Sequence, residues 1–150
     1  MQSKKVKELV ERYLSVSFDV MKRGAMLVKC ELDEDITNDQ YYLLRYMYKR
    51  GICTSTELAS AFIVNKSAIT AMTNRLVEKE MVRRIRDEKD RRVIYLTLTE
   101  KGMRWFQETE EKIHKLVGSF IIKFSEQEIE MFLQLYEKLA AALHEMEVEA

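Results

Sequence analysis

The sequence predicts a mostly α-helical chain with one small β-hairpin: a winged helix-turn-helix domain over residues 37–102, between long N- and C-terminal helices. Three observations predict it. The 150 residues include no proline and only four glycines, so long uninterrupted helices are the natural outcome. Two helical stretches, 57–62 and 66–80, are separated by three residues, and the second puts apolar side chains on one face and small polar ones on the other. A highly charged stretch is followed by the alternating run VIYLTLT at 93–99, and alternation of this kind marks a half-buried strand.

Residues 3–29 form the first predicted helix, with Val6, Leu9, Val10, Tyr13, Leu14, Phe18, Met21 and Leu27 carrying much of its apolar content. The stretch ELDEDIT breaks it. Thr37 then caps a second helix, NDQYYLLRYMYKR, which stops at Gly51. Residues 52–54 are too short for more than a sheet edge. Thr54 and Glu57 form a Thr-x-x-Glu capping box for the third helix, and Asn65 caps the fourth, KSAITAMTNRLVEKE, at 66–80.

At about 100° per residue, Ile69, Met72 and Leu76 share one face of this fourth helix. Ser67, Thr70, Ala71, Asn74 and Glu78 take the opposite face, with Arg75 on its flank. Small polar residues let a helix sink into a major groove, where an asparagine can bond adenine in bidentate fashion and Ser or Thr can meet bases or phosphates. A plain amphipathic surface helix has the same pattern.

The hairpin spans 82–98. Ile94, Leu96 and Leu98 point one way and Val93, Tyr95 and Thr97 the other, whereas Val82 and Ile85 fall on opposite faces. The connecting DEKDRR has no glycine, so a longer, flexible, charged loop is expected instead of a tight turn. Such a hairpin is a wing, and a mobile arginine tip suits a narrow, electronegative minor groove. A solvated charged hairpin is the plainer alternative.

Thr99 caps a helix expected to reach Lys123, and Ser125 with Glu128 forms a capping box for a last helix at 126–147. The flanking segments, 1–36 and 103–150, hold more apolar surface than the central domain can bury. A second copy would cover it. Two-fold symmetry would then present two recognition helices about one DNA turn apart, to a palindromic site.

Charge is divided by segment. Net charge is zero, yet residues 63–104 hold eleven basic and six acidic side chains, a balance of +5, and residues 105–150 hold four and ten, a balance of −6. A basic domain with an acidic tail suggests one nucleic-acid face. Cys30, Cys53, His114 and His144 have no metal-type spacing, and no phosphate loop, GxGxxG or GxSxG occurs. No enzyme, cofactor or metal site is expected. No run approaches the roughly 18 apolar residues of a membrane span, and the N-terminus lacks a signal-peptide core, so a cytoplasmic protein without membrane contact is expected.

Asp90-Arg91-Arg92 followed by Leu96-Thr97-Leu98-Thr99-Glu100-Lys101-Gly102 resembles the wing signature of the MarR family of bacterial winged-helix regulators, Asp-x-Arg then Leu-Thr-x-x-Gly. Asn65-Lys66-Ser67-Ala68-Ile69-Thr70, with Arg75-Leu76-Val77, resembles that family's recognition helix. The resemblance runs from about Thr37 to Gly102. It implies a homodimeric DNA-binding transcriptional regulator, a repressor, released from its operator by a small ligand. Arg92 would be the minor-groove arginine, oriented by Asp90, with Arg91 beside it. Lys66, Ser67, Thr70, Asn74 and Arg75 would face the DNA, and Arg84 and Arg86 would lie near phosphates. The family often has glycine before the first wing strand; here Glu80 stands there, strained if that turn needs a positive φ.

Family members commonly bind small ligands between the DNA-binding and dimer regions, and some sense zinc or peroxides. Tyr41, Tyr42, Tyr46 and Tyr48 crowd the second helix and Met21 and Met26 stand on the first; Met21, Tyr41, Tyr42 and Tyr46 are the candidate lining for an aromatic or amphipathic ligand, since aromatic and Met side chains suit flat apolar molecules, with plain core packing the alternative. Cys30 is the candidate redox thiol, with Lys29 favouring and Glu31 opposing its thiolate. Cys53 is expected to be a small buried hydrophobe. Two other readings stand beside this one: a winged-helix module used only for protein–protein contact, and a thiol-based sensor acting through Cys30.

Overall fold

The structure, a computed structural model, describes residues 3–149. Six helices and three strands follow in the order α1 (Ser3–Glu31), α2 (Asn38–Arg50), β1 (Cys53–Thr54), α3 (Ser55–Phe62), α4 (Lys66–Glu78), β2 (Val82–Arg86), β3 (Ile94–Leu98), α5 (Glu100–Ile121) and α6 (Glu126–Glu149). The predicted mostly α architecture with a hairpin wing is present. Contacts divide the chain into residues 1–113 and 114–150, with the boundary inside α5.

The helix starts follow from side-chain caps. Thr37 accepts the amide N–H of Gln40 at 3.1 Å, and Gln40 accepts that of Thr37 at 3.0 Å. Thr54 and Asn65 cap α3 and α4 through their own side chains, accepting from Glu57 at 3.1 Å and Ala68 at 2.9 Å, so that only the Thr54 half of the expected Thr54–Glu57 box is made. Ser125 and Glu128 complete a reciprocal capping box at α6. Each cap satisfies amide groups that a helix leaves open at its first turn. At the other end of α2, Gly51 takes φ +85, which a side chain would resist.

The sheet is antiparallel in the order β1-β3-β2. Leu96 of β3 lies opposite Cys53 on one side and Arg84 on the other. Leu96 and Leu98 turn inward, beneath a core built from Leu43, Leu44, Met47, Leu58, Ile69, Leu76, Val82 and Phe106. This core lies within residues 1–113 and sets the positions of α4 and the hairpin.

Several predicted boundaries move; the first and last helices each run two residues further than expected, to Glu31 and Glu149. The fourth helix stops at Glu78 and not at 80, because Glu80 turns to φ +62 and redirects the chain into β2, which starts at Val82. The fifth stops at Ile121, ahead of the predicted Lys123. In α1, no described residue is buried, although Val6, Tyr13, Leu14, Phe18 and Met21 are apolar. In the second unit, Phe132, Leu133, Tyr136, Leu143 and Met146 of α6 are likewise exposed.

Candidate nucleic-acid interface

The wheel arithmetic for α4 holds in three dimensions. Ile69 and Leu76 are fully buried and Met72 half-buried, while Lys66, Ser67, Thr70, Ala71, Asn74, Arg75 and Glu78 are exposed. Thr73 is buried as well, and its hydroxyl donates back to the Ile69 carbonyl at 2.9 Å, which makes a polar residue tolerable there. Thr70 does the same toward Lys66 at 2.9 Å. Its hydroxyl proton is thus occupied, and what it shows outward is a methyl group and an acceptor.

The loop between β2 and β3 spans residues 87–93, too long for the two-residue turn that its missing glycine argues against, and it holds one β-turn at its tip, where the Val93 amide donates to the Asp90 carbonyl at 3.0 Å. It is stitched together by side-chain hydrogen bonds. Asp87 Oδ1 accepts the amide N–H of Lys89 at 2.8 Å and of Asp90 at 3.1 Å, and Asp87 Oδ2 accepts the Tyr95 hydroxyl at 3.0 Å. Asp90 Oδ1 accepts both the amide and the Nε–H of Arg92 at 3.1 Å, with Nη2 at 3.3 Å from Oδ2. These donors hold both carboxyls below the usual carboxylate range: for Asp87 chiefly the two backbone amides, for Asp90 chiefly the Arg92 side chain. Hydrogen bonding to Asp87 raises the Tyr95 phenol. Two aspartates thus replace the glycines a short turn would need, and the Arg92 side chain stands 91% exposed at the tip. Arg91 is exposed beside it, and its carbonyl accepts from Arg86 at 3.2 Å. Arg84, on β2, does not stand apart from α4: its guanidinium donates to Asn74 Oδ1.

The Thr-x-x-Gly step after β3 has a clear mechanical basis. Thr99 caps α5 by accepting from Gly102 at 3.0 Å, donates its own hydroxyl to the Glu80 carbonyl at 2.6 Å, and donates its amide to the Met81 carbonyl at 3.0 Å. A Cβ on Gly102 would lie 2.0 Å from the Met81 oxygen. Only glycine lets α5 start so close to the turn that joins α4 to the wing.

Helix-turn-helix, wing and Thr-x-x-Gly latch are thus assembled in one domain. The MarR family model matches residues 36–94 of this chain. A Bacillus subtilis relative, the uncharacterized HTH-type transcriptional regulator YpoP, is 33% identical over 108 residues, covering 72% of this chain and 77% of that one. The chain belongs to the MarR family. That is a family of transcriptional regulators, not of enzymes. The B. subtilis HTH-type transcriptional repressor MdtR is 31% identical to this MarR-family chain, over 73% of it and 70% of the relative. The fold is that of Streptococcus pneumoniae FabT, solved in complex with DNA, with a TM-score of 0.77 at 23% identity, covering 94% and 99% of the two chains.

The predicted ligand lining is regrouped in this MarR-family structure. Tyr41 is a core residue, 2% exposed, and its hydroxyl donates to Glu110 Oε2 at 2.6 Å. Burial and the Glu110 carboxylate raise its phenol well above the ordinary range. Arg45 also bonds Glu110. The rings that touch in sequence are Tyr42, Tyr41, Phe106 and Tyr48, with centroids 5.1, 6.0 and 4.7 Å apart. Tyr46 instead stands against Phe62 and under Arg50, and Met21 is exposed on α1. The signal was available: Tyr41 and Tyr48 are seven positions apart and share a helix face, while Tyr46 lies about 140° from Tyr41.

Cys30 is exposed and Cys53 buried, both as free thiols. Burial pushes the Cys53 thiol up, as a small core hydrophobe should be. Lys29, the expected activator of Cys30, turns away: its ammonium bonds the carbonyls of Asp33 at 3.3 Å and Glu34 at 3.1 Å, and that of Ile36. It closes the end of α1. Among the described residues no group of three His, Cys, Asp or Glu is placed to hold a metal, and no helix is long and apolar enough to cross a membrane.

Proposed function

We propose that this MarR-family chain is a homodimeric repressor that reads a palindromic operator in double-stranded DNA. The outer face of α4 enters the major groove, and Arg92 at the wing tip enters the adjacent minor groove. Ser67, Thr70 and Asn74 face base edges, with Arg75 on the flank. Lys66, Arg86 and Arg91 are near phosphates, Arg84 stands beside Asn74, and Asp90 orients Arg92. Residues 37–102 read DNA, while 1–36 and 103–150 form the dimer. The observation that carries this reading is the exposed Arg92 guanidinium, held by Asp90 on a stitched loop, in a domain whose α4 exposes a small polar face. The B. subtilis repressor MdtR supports the sense of regulation, and the FabT–DNA complex the kind of partner. The exposed apolar side chains of α1 and of α6 support a second copy as their cover.

Release by a small aromatic or amphipathic ligand completes the proposal. Tyr42 and Tyr48, both exposed, flank the buried Tyr41–Phe106 stack and offer an aromatic shelf for it. Such a ligand would act by favouring one spacing of the two recognition helices over another.

The test is a mobility shift with operator fragments selected from genomic DNA. Arg92→Ala is expected to weaken binding on the order of tenfold at physiological salt, most on A·T-rich sites, where the minor groove is narrow. Normal binding by Arg92→Ala would overturn the wing assignment.

A further inference from the structure

Arg84 and Asn74 belong to different elements and meet above the sheet. Arg84 is the central residue of β2, opposite Leu96, and Asn74 lies on the outer face of α4. The guanidinium Nη2 donates to Asn74 Oδ1. Both residues are exposed, so burial does not force this contact.

The chemistry of the pair is asymmetric. A guanidinium has donors only, whereas an amide accepts at one end and donates at the other. Left alone, an exposed asparagine can present either end to a partner. Beside Arg84 it cannot: the oxygen must face the guanidinium and the nitrogen must face away.

We propose that Arg84 is a positioning residue for base readout, one that locks the Asn74 amide so that its Nδ2 hydrogens lead toward the DNA. This rests on the reading above, in which the outer face of α4 enters the major groove. The positive charge beside the oxygen also polarises the amide and strengthens it as a donor. A donor-first asparagine favours base edges with an acceptor: N7 of either purine, O6 of guanine or O4 of thymine. Oδ1 keeps a second lone pair, so adenine can still be held at N6 and N7 together. Cytosine offers only its N4 donor in the major groove and is the base to be rejected. Arg84 thereby shapes specificity without touching a base.

Full-length protein is equilibrated with a duplex library randomised across the operator, at two salt concentrations, and the bound fraction is sequenced. Wild type, Asn74→Ala, Arg84→Ala, Arg84→Lys and the Asn74→Ala/Arg84→Ala double variant are compared. Wild type is expected to penalise cytosine about tenfold at one position per half-site. Asn74→Ala and Arg84→Ala should each flatten that same position to within about twofold, and the double variant should flatten it no further, as coupled residues do. Arg84→Lys keeps the charge but not the planar fork. It should hold the wild-type salt dependence and still lose most of the cytosine penalty.

Uniformly weaker binding by Arg84→Ala, with an unchanged base profile and a salt slope lower by about one, would make Arg84 a phosphate contact and overturn the proposal. So would flattening at a position different from the one Asn74 controls. Wild-type protein that selects no sequence at all would instead remove the operator-reading function itself.

Discussion

The two ends of α4 are held in opposite ways. Each is flanked by a non-glycine residue in the left-handed region, Ile63 at φ +54 before the helix and Glu80 at φ +62 after it. At the C-terminal end the strained residue is tied to the rest of the domain. Thr99 bonds Glu80 and Met81, Gly102 lies against Met81, and Lys79 pairs with Asp35 of the α1–α2 loop. At the N-terminal end the fixings are local. Ile63 and Val64 bond back to α3, Asn65 caps α4, and Ile63 is 74% exposed. One end of the helix is thus an anchored pivot. The other end, which carries Lys66 and Ser67, is set by the turn after α3 and by the Asn65 cap, both close in sequence.

The strongest way to break this contrast is to attack the pivot. Gly102→Ala forces a methyl group into the Met81 carbonyl, and overpacking against backbone is expected to destabilise by about 3 kcal/mol. Urea denaturation followed by circular dichroism measures it; a loss below about 0.5 kcal/mol would mean α5 shifts freely and is no anchor. At the opposite end, Asn65→Ala removes a cap and is expected to cost about 1 kcal/mol. Operator affinity should fall further than this stability loss explains, because the cap also sets where Lys66 and Ser67 stand; equal proportional losses would tell against a locally set N-terminal end.

Ile63→Gly relieves a β-branched residue of a left-handed conformation that costs it roughly 1–2 kcal/mol, against the extra chain entropy of glycine. A net gain of about 0.5 kcal/mol is expected, visible as a higher Tm. Glu80→Gly should gain less, since Glu is unbranched at Cβ. If Glu80→Gly stabilises more than Ile63→Gly, strain is concentrated at the pivot instead.

The smallest expected effect is that of pH on the wing loop. Asp87 and Asp90 have lowered folded-state values, so their contribution is complete above the ordinary carboxylate value near 3.8 and is lost only as pH falls through the lower folded values. Between pH 5 and 8 these two groups should leave operator affinity flat. Titration of the Lys89 and Asp90 amide shifts by NMR checks it: a midpoint above about 4 would show that the loop is not stitched as described.

What was legible in the sequence follows a physical line. Thr37, Thr54, Asn65, Thr99 and Ser125 all cap the helices they precede, because a cap is a contact over three residues and sequence order alone brings it about. The buried face of α4 and the inward Leu96 and Leu98 were readable for the same local reason, periodicity. The end of α4 was not, since Lys79 and Glu80 are good helix formers overruled by Thr99 and Gly102, some twenty residues on. The Arg84–Asn74 bond, the Glu110 carboxylate shared by Tyr41 and Arg45, and the diversion of Lys29 from Cys30 all join residues through space. Of the candidate site, the residue types and the faces they occupy were readable; which side chains hold one another was not.

The α1–α2 loop is hitched to α5 through Asp33, whose carboxylate accepts the indole N–H of Trp105. Trp105 is the single tryptophan of the chain. Indole emission depends on whether that N–H sits on a carboxylate or in water, so the molecule carries its own optical gauge at this joint. A spectral shift on adding DNA or a candidate inducer reads out whether the loop has let go, without any label, and Asp33→Asn supplies the calibration for the released signal.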